Sequence, residues 1–285
     1  MDAKLPPLAA IVQMTSGIDP DANLRAIDRA LGEAAKHGAA IAFLPEMSLL
    51  LDRDRQRSAA HIVREADSPW PAALHDMAQR HGVWLHSGSM PLLSDDGSKR
   101  VNRSHVIGAD GSIRARYDKI HMFDVDLPTG EKWTESAAYA GGEAIALVDT
   151  PIGRLGLSIC YDLRFPELYR ALVDGGAEVI AIPAAFSVPT GEAHWHTLVR
   201  ARAIETGCHV IAAAQCGVHA DGRATYGHSL AVDPWGVVLG EAAAKSGAGD
   251  QGFDLIAVEI DAEAVAKARQ AIPLARSRTV RSITL

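Results

Sequence analysis

The chain is poor in aromatic residues: five Trp, five Tyr and five Phe among 285 positions, 5% of the sequence. Its core must therefore be built from Val, Ile, Leu and Ala. Cysteine is scarce too. Cys160, Cys208 and Cys216 make an odd count without CxxC spacing. That excludes a disulfide framework and a thiolate metal knuckle, and predicts free thiols in a cytoplasmic protein. Long apolar runs are missing. The longest, residues 179–186, is far below the ~18 residues that span a bilayer, so no membrane partner is expected. Asp2, Lys4 and two prolines open the sequence, which is not the pattern of a secretory leader. Basic residues are outnumbered, 28 Lys+Arg against 35 Asp+Glu, for a net charge of −7. Nucleic acid is thereby excluded as a bulk partner, since phosphate neutralisation needs clustered Lys and Arg. The short basic stretch Arg276, Arg278 and Arg281 reads as a solvated or subunit-contacting tail.

What is present is globular: 48% hydrophobic and 22% charged residues. A chain of this length buries roughly three quarters of its unfolded surface and needs no covalent staples. Short apolar runs predict strands at residues 8–13, 40–45 and 83–87. Between them, Asp21 is the expected cap of a helix with Leu24, Ile27 and Leu31 on one face. Ser68-Pro69 starts another that runs to Arg80. Turn residues Ala109-Asp110-Gly111 join strands 101–107 and 113–117. The second half repeats the element order, with strands at 144–149, 155–160, 178–182, 210–215, 229–233, 237–240 and 253–260. Its helices are expected at 166–174, at 192–206 and from Asp261 to residue 270. No biased linker interrupts the chain. The expectation is one α/β domain over 1–285, with two mixed sheets covered by helices.

Three strand ends carry chemistry. Cys160 lies at a strand-to-helix junction, where a side chain can be thrust outward; it reads either as a nucleophile or as a buried core thiol. Cys208 and Cys216 bracket an apolar strand and read as core. Glu46 and Lys119 each sit just past a strand, as solvated charges or as site residues. In α/β folds sites assemble at the carboxyl ends of strands. Glu, Lys and Cys then form a coherent set: base, fixed positive charge for an oxyanion, and nucleophile. Twelve histidines keep a Cys–His pair open. His194-Trp195-His196 raises metal binding, but residues two apart on a helix face different ways, so no metal is expected. Arg164 is placed either to bind a substrate carboxylate or to close a structural ion pair. Asp162 and Glu167 read as helix-start carboxylates.

Three motifs, Phe43-Leu44-Pro45-Glu46, Tyr117-Asp118-Lys119-Ile120-His121 and Cys160-Tyr161-Asp162-Leu163-Arg164-Phe165-Pro166-Glu167, stand in an order that resembles the nitrilase superfamily, the carbon–nitrogen hydrolases. Five more are similar to the deaminated glutathione amidase branch. They are His194-Trp195, Arg200 to Thr206, Ala212 to Gly217, Tyr226-Gly227-His228-Ser229 and Asp233-Pro234-Trp235-Gly236. His196 departs from that branch, which usually carries Glu there. The resemblance implies a four-layer α-β-β-α sandwich. It also implies a homodimer or higher oligomer, with helix 192–206 and tail 272–285 as contact elements, and no cofactor.

The implied reaction cleaves the amide of a small carboxylate-bearing molecule through a thioester. Deaminated glutathione is the expected substrate, giving 2-oxoglutarate and cysteinylglycine. An ω-amidase acting on 2-oxoglutaramate, another aliphatic amidase, carbamoylase or nitrilase, and a catalytically silent scaffold are the alternatives. Glu46, Lys119 and Cys160 match the family's catalytic order. Glu135 matches its second active-site glutamate, although by itself it reads as a loop carboxylate. The backbone N–H of Tyr161 joins Lys119 at the oxyanion. A free Glu near 4.3 is a poor base for a free Cys near 8.5. Burial is expected to raise the Glu value, and Lys119 to lower that of the Cys.

Overall fold

Alternation within single strands sets the architecture. In the strand Leu8–Met14, Ala9 and Ile11 join one core cluster, whereas Ala10, Val12 and Met14 join another. The strand Ala39–Phe43 divides likewise, with Ile41 and Phe43 on one side and Ala42 on the other. A strand buried on both faces belongs to a sheet covered on both sides. The computed structural model describes residues 5–127, 130, 132–243 and 252–273 and shows what covers each face.

The first sheet runs in the order Phe253–Glu259, Leu8–Met14, Ala39–Phe43, Trp84–His86, Arg100–Ile107 and Met90–Leu93, with Ile113–Asp118 also paired to Arg100–Ile107. Leu8–Met14, Ala39–Phe43 and Trp84–His86 are mutually parallel, and antiparallel strands flank them. The second sheet follows the same plan. Its parallel centre is Gly153–Leu157, Val179–Ala181 and His209–Ala212, flanked by the antiparallel strands Leu147–Thr150, Leu230–Val232 and Val238–Glu241. The inner faces of the two sheets meet around Ile11, Phe43, Leu157 and Ala181. Helices Pro20–Lys36 and Pro69–His81 cover the first sheet through Ile27, Leu31 and Leu74. Helices Pro166–Asp174 and Val188–Thr206 cover the second through Leu172, Trp195 and Val199. The result is the expected α-β-β-α sandwich.

Helix starts follow local chemistry. Asp19, not Asp21, caps the first helix: its Oδ1 accepts the N–H groups of Asp21 at 3.0 Å and Ala22 at 3.3 Å. The reason is Pro20, which has no N–H to offer and a fixed φ, so it fits the first helical position and pushes the cap back. Pro189 has the same effect on the long helix, which begins at Val188 rather than at residue 192. Gly191 is tolerated inside that helix because a Cβ there would collide with the Tyr226 ring.

Strands absent from the sequence reading are Met90–Leu93 and the pairs Asp124–Asp126 with Lys132–Thr134 and Cys216–Val218 with Ala224–Tyr226. The expected tail contacts, including Arg276, Arg278 and Arg281, lie outside the described residues. Among the described residues, no helix is long and apolar enough to cross a membrane.

Candidate active site

Glu46, Lys119 and Cys160 converge from different strand ends. Glu46 lies three residues past Ala39–Phe43 and is followed by Met47 at φ 55°. Gly88 makes this bend accessible: it sits at φ 65° so close to the Pro45 carbonyl that any Cβ would overlap it. Lys119 directly follows Ile113–Asp118, and its N–H donates to the Asn102 carbonyl at 2.9 Å. Cys160 opens the 3-10 turn Cys160–Arg164 at φ 48°, with its N–H donating to the Pro183 carbonyl at 2.9 Å. A left-handed cysteine is uncommon and is held here by its surroundings.

Asp162 provides much of that hold. It is fully buried, and it accepts hydrogen bonds from the Ile159 N–H at 2.9 Å, the Tyr117 hydroxyl at 2.7 Å and the His121 N–H at 3.0 Å. The His121 ring nitrogen Nδ1 lies 2.7 Å from the same carboxylate. Asp162 thus ties the Cys160 turn to the residues on either side of Lys119. Its partners are side chains and loop N–H groups from two sheets, beyond the helix-start role expected of it.

The charged groups form a chain of contacts. Lys119 Nζ donates to Glu46 Oε1 at 3.1 Å and to both oxygens of Glu135 at 3.1 and 2.9 Å. Asn102 Nδ2 donates to Glu46 Oε1 at 2.9 Å, and the Phe123 N–H donates to Glu135 Oε2 at 2.6 Å. Glu135 therefore belongs to the cluster and is no solvated loop carboxylate. Burial by itself would lower the Lys119 pKa, but Glu135, then Glu46, then Cys160 outweigh it and raise the value well above the usual lysine range. The ammonium is fixed in its charged form.

Cys160 behaves opposite to expectation. Burial first, and Glu46 next, push its thiol well above the ordinary cysteine range, and the opposing pull of Lys119 is too small to reverse this. The physical cause is first the dry surroundings, which penalise a thiolate, and then the Glu46 carboxylate beside it, which repels a second negative charge. The resting cysteine is a thiol.

The cluster forms the floor of a cavity of about 770 Å³. Phe123, Trp133 and Phe186 supply apolar wall, and Arg53, Arg55, Arg100, Lys132, Arg164 and Arg223 supply positive charge. The Tyr161 ring lies edge-on to Phe123 and Phe165 at 5.1 and 5.4 Å. Arg164 faces the cavity beside the rings of Tyr161 and Phe186, at 5.8 and 5.5 Å. Among the described residues no carboxylate pairs with it; its polar contact is His194 Nδ1 at 3.4 Å. His194 and His196 do diverge: His194 meets Arg164, and His196 turns toward Glu241. Cys208 and Cys216 are buried away from the cluster. Asn102 and, apart from Arg164, the basic residues around the cavity went unnoticed in the sequence. Asn102 sits within an eight-residue strand, and no local pattern marks it as a partner of a residue 56 positions away.

The chain is similar to known proteins over most of its length. The carbon-nitrogen hydrolase family model matches residues 8–270. Deaminated glutathione amidase of Yersinia enterocolitica is 43% identical over 234 residues, covering 81% of this chain and 81% of that protein. Deaminated glutathione amidase of Synechocystis sp. is 39% identical over 277 residues, 96% of this chain and 98% of its own. The crystal structure of Saccharomyces cerevisiae Nit3, a member of branch 10 of the nitrilase superfamily, superposes with a TM-score of 0.83 at 29% identity, covering 98% of both chains.

Proposed function

The chain belongs to the carbon–nitrogen hydrolase family, and from that premise we propose that it hydrolyses deaminated glutathione to 2-oxoglutarate and cysteinylglycine, with Cys160 as nucleophile. As a member of that family it is a hydrolase of non-peptide C–N bonds. The observation that carries the reading is the Glu46–Lys119–Glu135 cluster beside Cys160 on the floor of a cavity rich in arginine.

The reaction begins with a neutral thiol. Glu46 takes the Cys160 proton as the sulfur attacks the amide carbon. This transfer creates no net charge in the pocket, because a carboxylate becomes a carboxylic acid as a thiol becomes a thiolate. Loss of the same proton to solvent would add charge, which is what the raised thiol pKa reports. Lys119 Nζ and the Tyr161 N–H stabilise the tetrahedral oxyanion. Protonated Glu46 then gives its proton to the leaving amine, the C–N bond breaks, and a thioester to Cys160 remains. Glu46 next takes a proton from water as the water oxygen attacks the thioester, and returns it to the departing sulfur. Glu135 is a positioning residue: its two oxygens hold the Lys119 ammonium in place.

The substrate reading draws on size and charge. A cavity of about 770 Å³ is in the range of pockets that enclose drug-sized ligands, far more than 2-oxoglutaramate fills. Deaminated glutathione carries two carboxylates, and Arg164, without an acidic partner among the described residues, is the residue assigned to bind one of them. We read the chain as one cytoplasmic domain that works as a homodimer or larger assembly; light scattering of the purified protein measures that state.

The test is kcat/KM for deaminated glutathione against 2-oxoglutaramate, with Cys160→Ala as the blank. A preference above tenfold, about 1.4 kcal/mol, for deaminated glutathione is expected. The reverse preference would make the chain an ω-amidase and refute the substrate assignment.

A further inference from the structure

A second cluster of ligand-type side chains lies outside the cavity. The helix Val188–Thr206 supplies His196, the turn before Leu230–Val232 supplies His228, and the end of Val238–Glu241 supplies Glu241. His196 Nε2 is 3.0 Å from Glu241 Oε1, and His228 Nδ1 is 2.6 Å from the same oxygen. All three ligand atoms fall within 4.8 Å of one another. None of the three residues lines the cavity.

The side chains are held in place. His228 occupies the left-handed region at φ 58°, and its carbonyl accepts the Trp195 indole N–H at 2.8 Å. Its ring stacks on Tyr226 at 4.3 Å, and His196 meets it edge-on at 5.1 Å. Two imidazole nitrogens and one carboxylate oxygen thus converge from separate elements with their rings already oriented.

We propose that His196, His228 and Glu241 bind a divalent transition-metal ion of the zinc type. Two imidazoles and a carboxylate suit zinc, cobalt or nickel, whereas magnesium and calcium want an all-oxygen shell. In a tetrahedral zinc site with bonds of ~2.0–2.1 Å, donors lie ~3.3 Å apart, so the two separations from Glu241 need to open by about 0.3 and 0.7 Å. Three protein ligands leave the fourth position of a tetrahedral ion to water. The ion replaces the protons now shared between each imidazole and Glu241. It cross-links the long helix to the strands that follow it. The first turn of that helix and the neighbouring Thr225 also form cavity wall, so the ion braces the pocket from outside.

The tag-free chain, stripped with a chelator, is titrated with Co²⁺ and then Zn²⁺. Cys160→Ala is titrated in parallel to remove the one thiol in the cavity. The expected result in both proteins is one equivalent bound, visible d–d absorption with Co²⁺, and a higher Tm with Zn²⁺. His196→Ala and Glu241→Gln are each expected to weaken binding by about tenfold or more and to abolish the Tm rise. In ¹⁵N-histidine spectra of the unaltered chain, Zn²⁺ shifts His196 Nε2 and His228 Nδ1. Absence of that shift, no binding up to about 1 mM ion, or unchanged binding in both variants overturns the proposal.

Discussion

Replacing Glu46 with Gln separates two properties that are usually assumed to travel together, thiol acidity and catalysis. Glu46 raises the Cys160 pKa both by its charge and by a hydrogen bond, second only to burial. Gln keeps the shape, can still accept from Asn102 and Lys119, and removes the charge. Two unit charges about 4 Å apart interact by ~4 kcal/mol at an effective dielectric of ~20. At 1.36 kcal/mol per pH unit this caps the effect near ~3 pH units, so a fall of ~1–3 is expected. Iodoacetamide alkylation of Cys160, followed against pH by mass spectrometry, reads the midpoint directly. The Glu46→Gln midpoint should lie at least one pH unit below that of the unaltered chain, while kcat drops by at least ~10² because the proton carrier is gone. The two effects have opposite signs on reactivity. A midpoint that stays put or rises would refute the part given to Glu46 in raising the thiol. A kcat within tenfold of the original would refute Glu46 as the base.

Lys119→Ala is expected to lower kcat by at least ~10², measured under saturating amide; a loss below tenfold removes it from the oxyanion site. Arg164→Ala should raise KM by about ten- to a hundredfold for amides bearing a carboxylate and leave KM for neutral amides unchanged, and equal effects on both classes would deny it a substrate contact. His86 is buried and its pKa is pushed down to about 3 by burial, so the folded chain keeps it neutral while the unfolded chain protonates near 6.5. Its stabilising contribution is present above pH 6.5 and is lost as pH falls toward 3, amounting to ~2 kcal/mol by pH 5. Urea midpoints at pH 7 and pH 5 should therefore diverge less in His86→Asn than in the original chain, and identical divergence would show that another group carries the acid sensitivity.

The positions of Glu46, Lys119 and Cys160 were legible in the sequence because each lies at the end of an apolar run or hairpin strand, where period and turn residues mark the boundary. Glu135 was legible only through family resemblance. It follows a hairpin of three-residue strands, too short for any alternation to register, and its partners Lys119 and Phe123 are set by the tertiary fold. Asp162 was visible as a helix-start carboxylate, but its ties to Tyr117 and His121 come from another sheet. The expected pull of Lys119 on the Cys160 pKa is present, but burial first and Glu46 next outweigh it, and neither can be weighed from a linear sequence. Cap errors at Asp21 and at residue 192 share one cause: in both helices a proline occupies the first turn, and its effect on the start was underweighted.

The cluster straddles a seam. Glu46 and Lys119 hang from one sheet and Cys160 from the other, so the gap between base and nucleophile is set by the thickness of the side-chain layer between the sheets. Ile11, Phe43, Leu157 and Ala181 are in this sense spacers. A volume change there alters turnover from a distance, even where the fold survives it, because tightly packed interiors transmit displacement. The outer layers, where helices meet sheets, carry no such gauge. Substitutions accumulating over evolutionary time should therefore be freer beneath the helices than between the sheets, and a stabilised variant that keeps its rate is best sought in the outer layers.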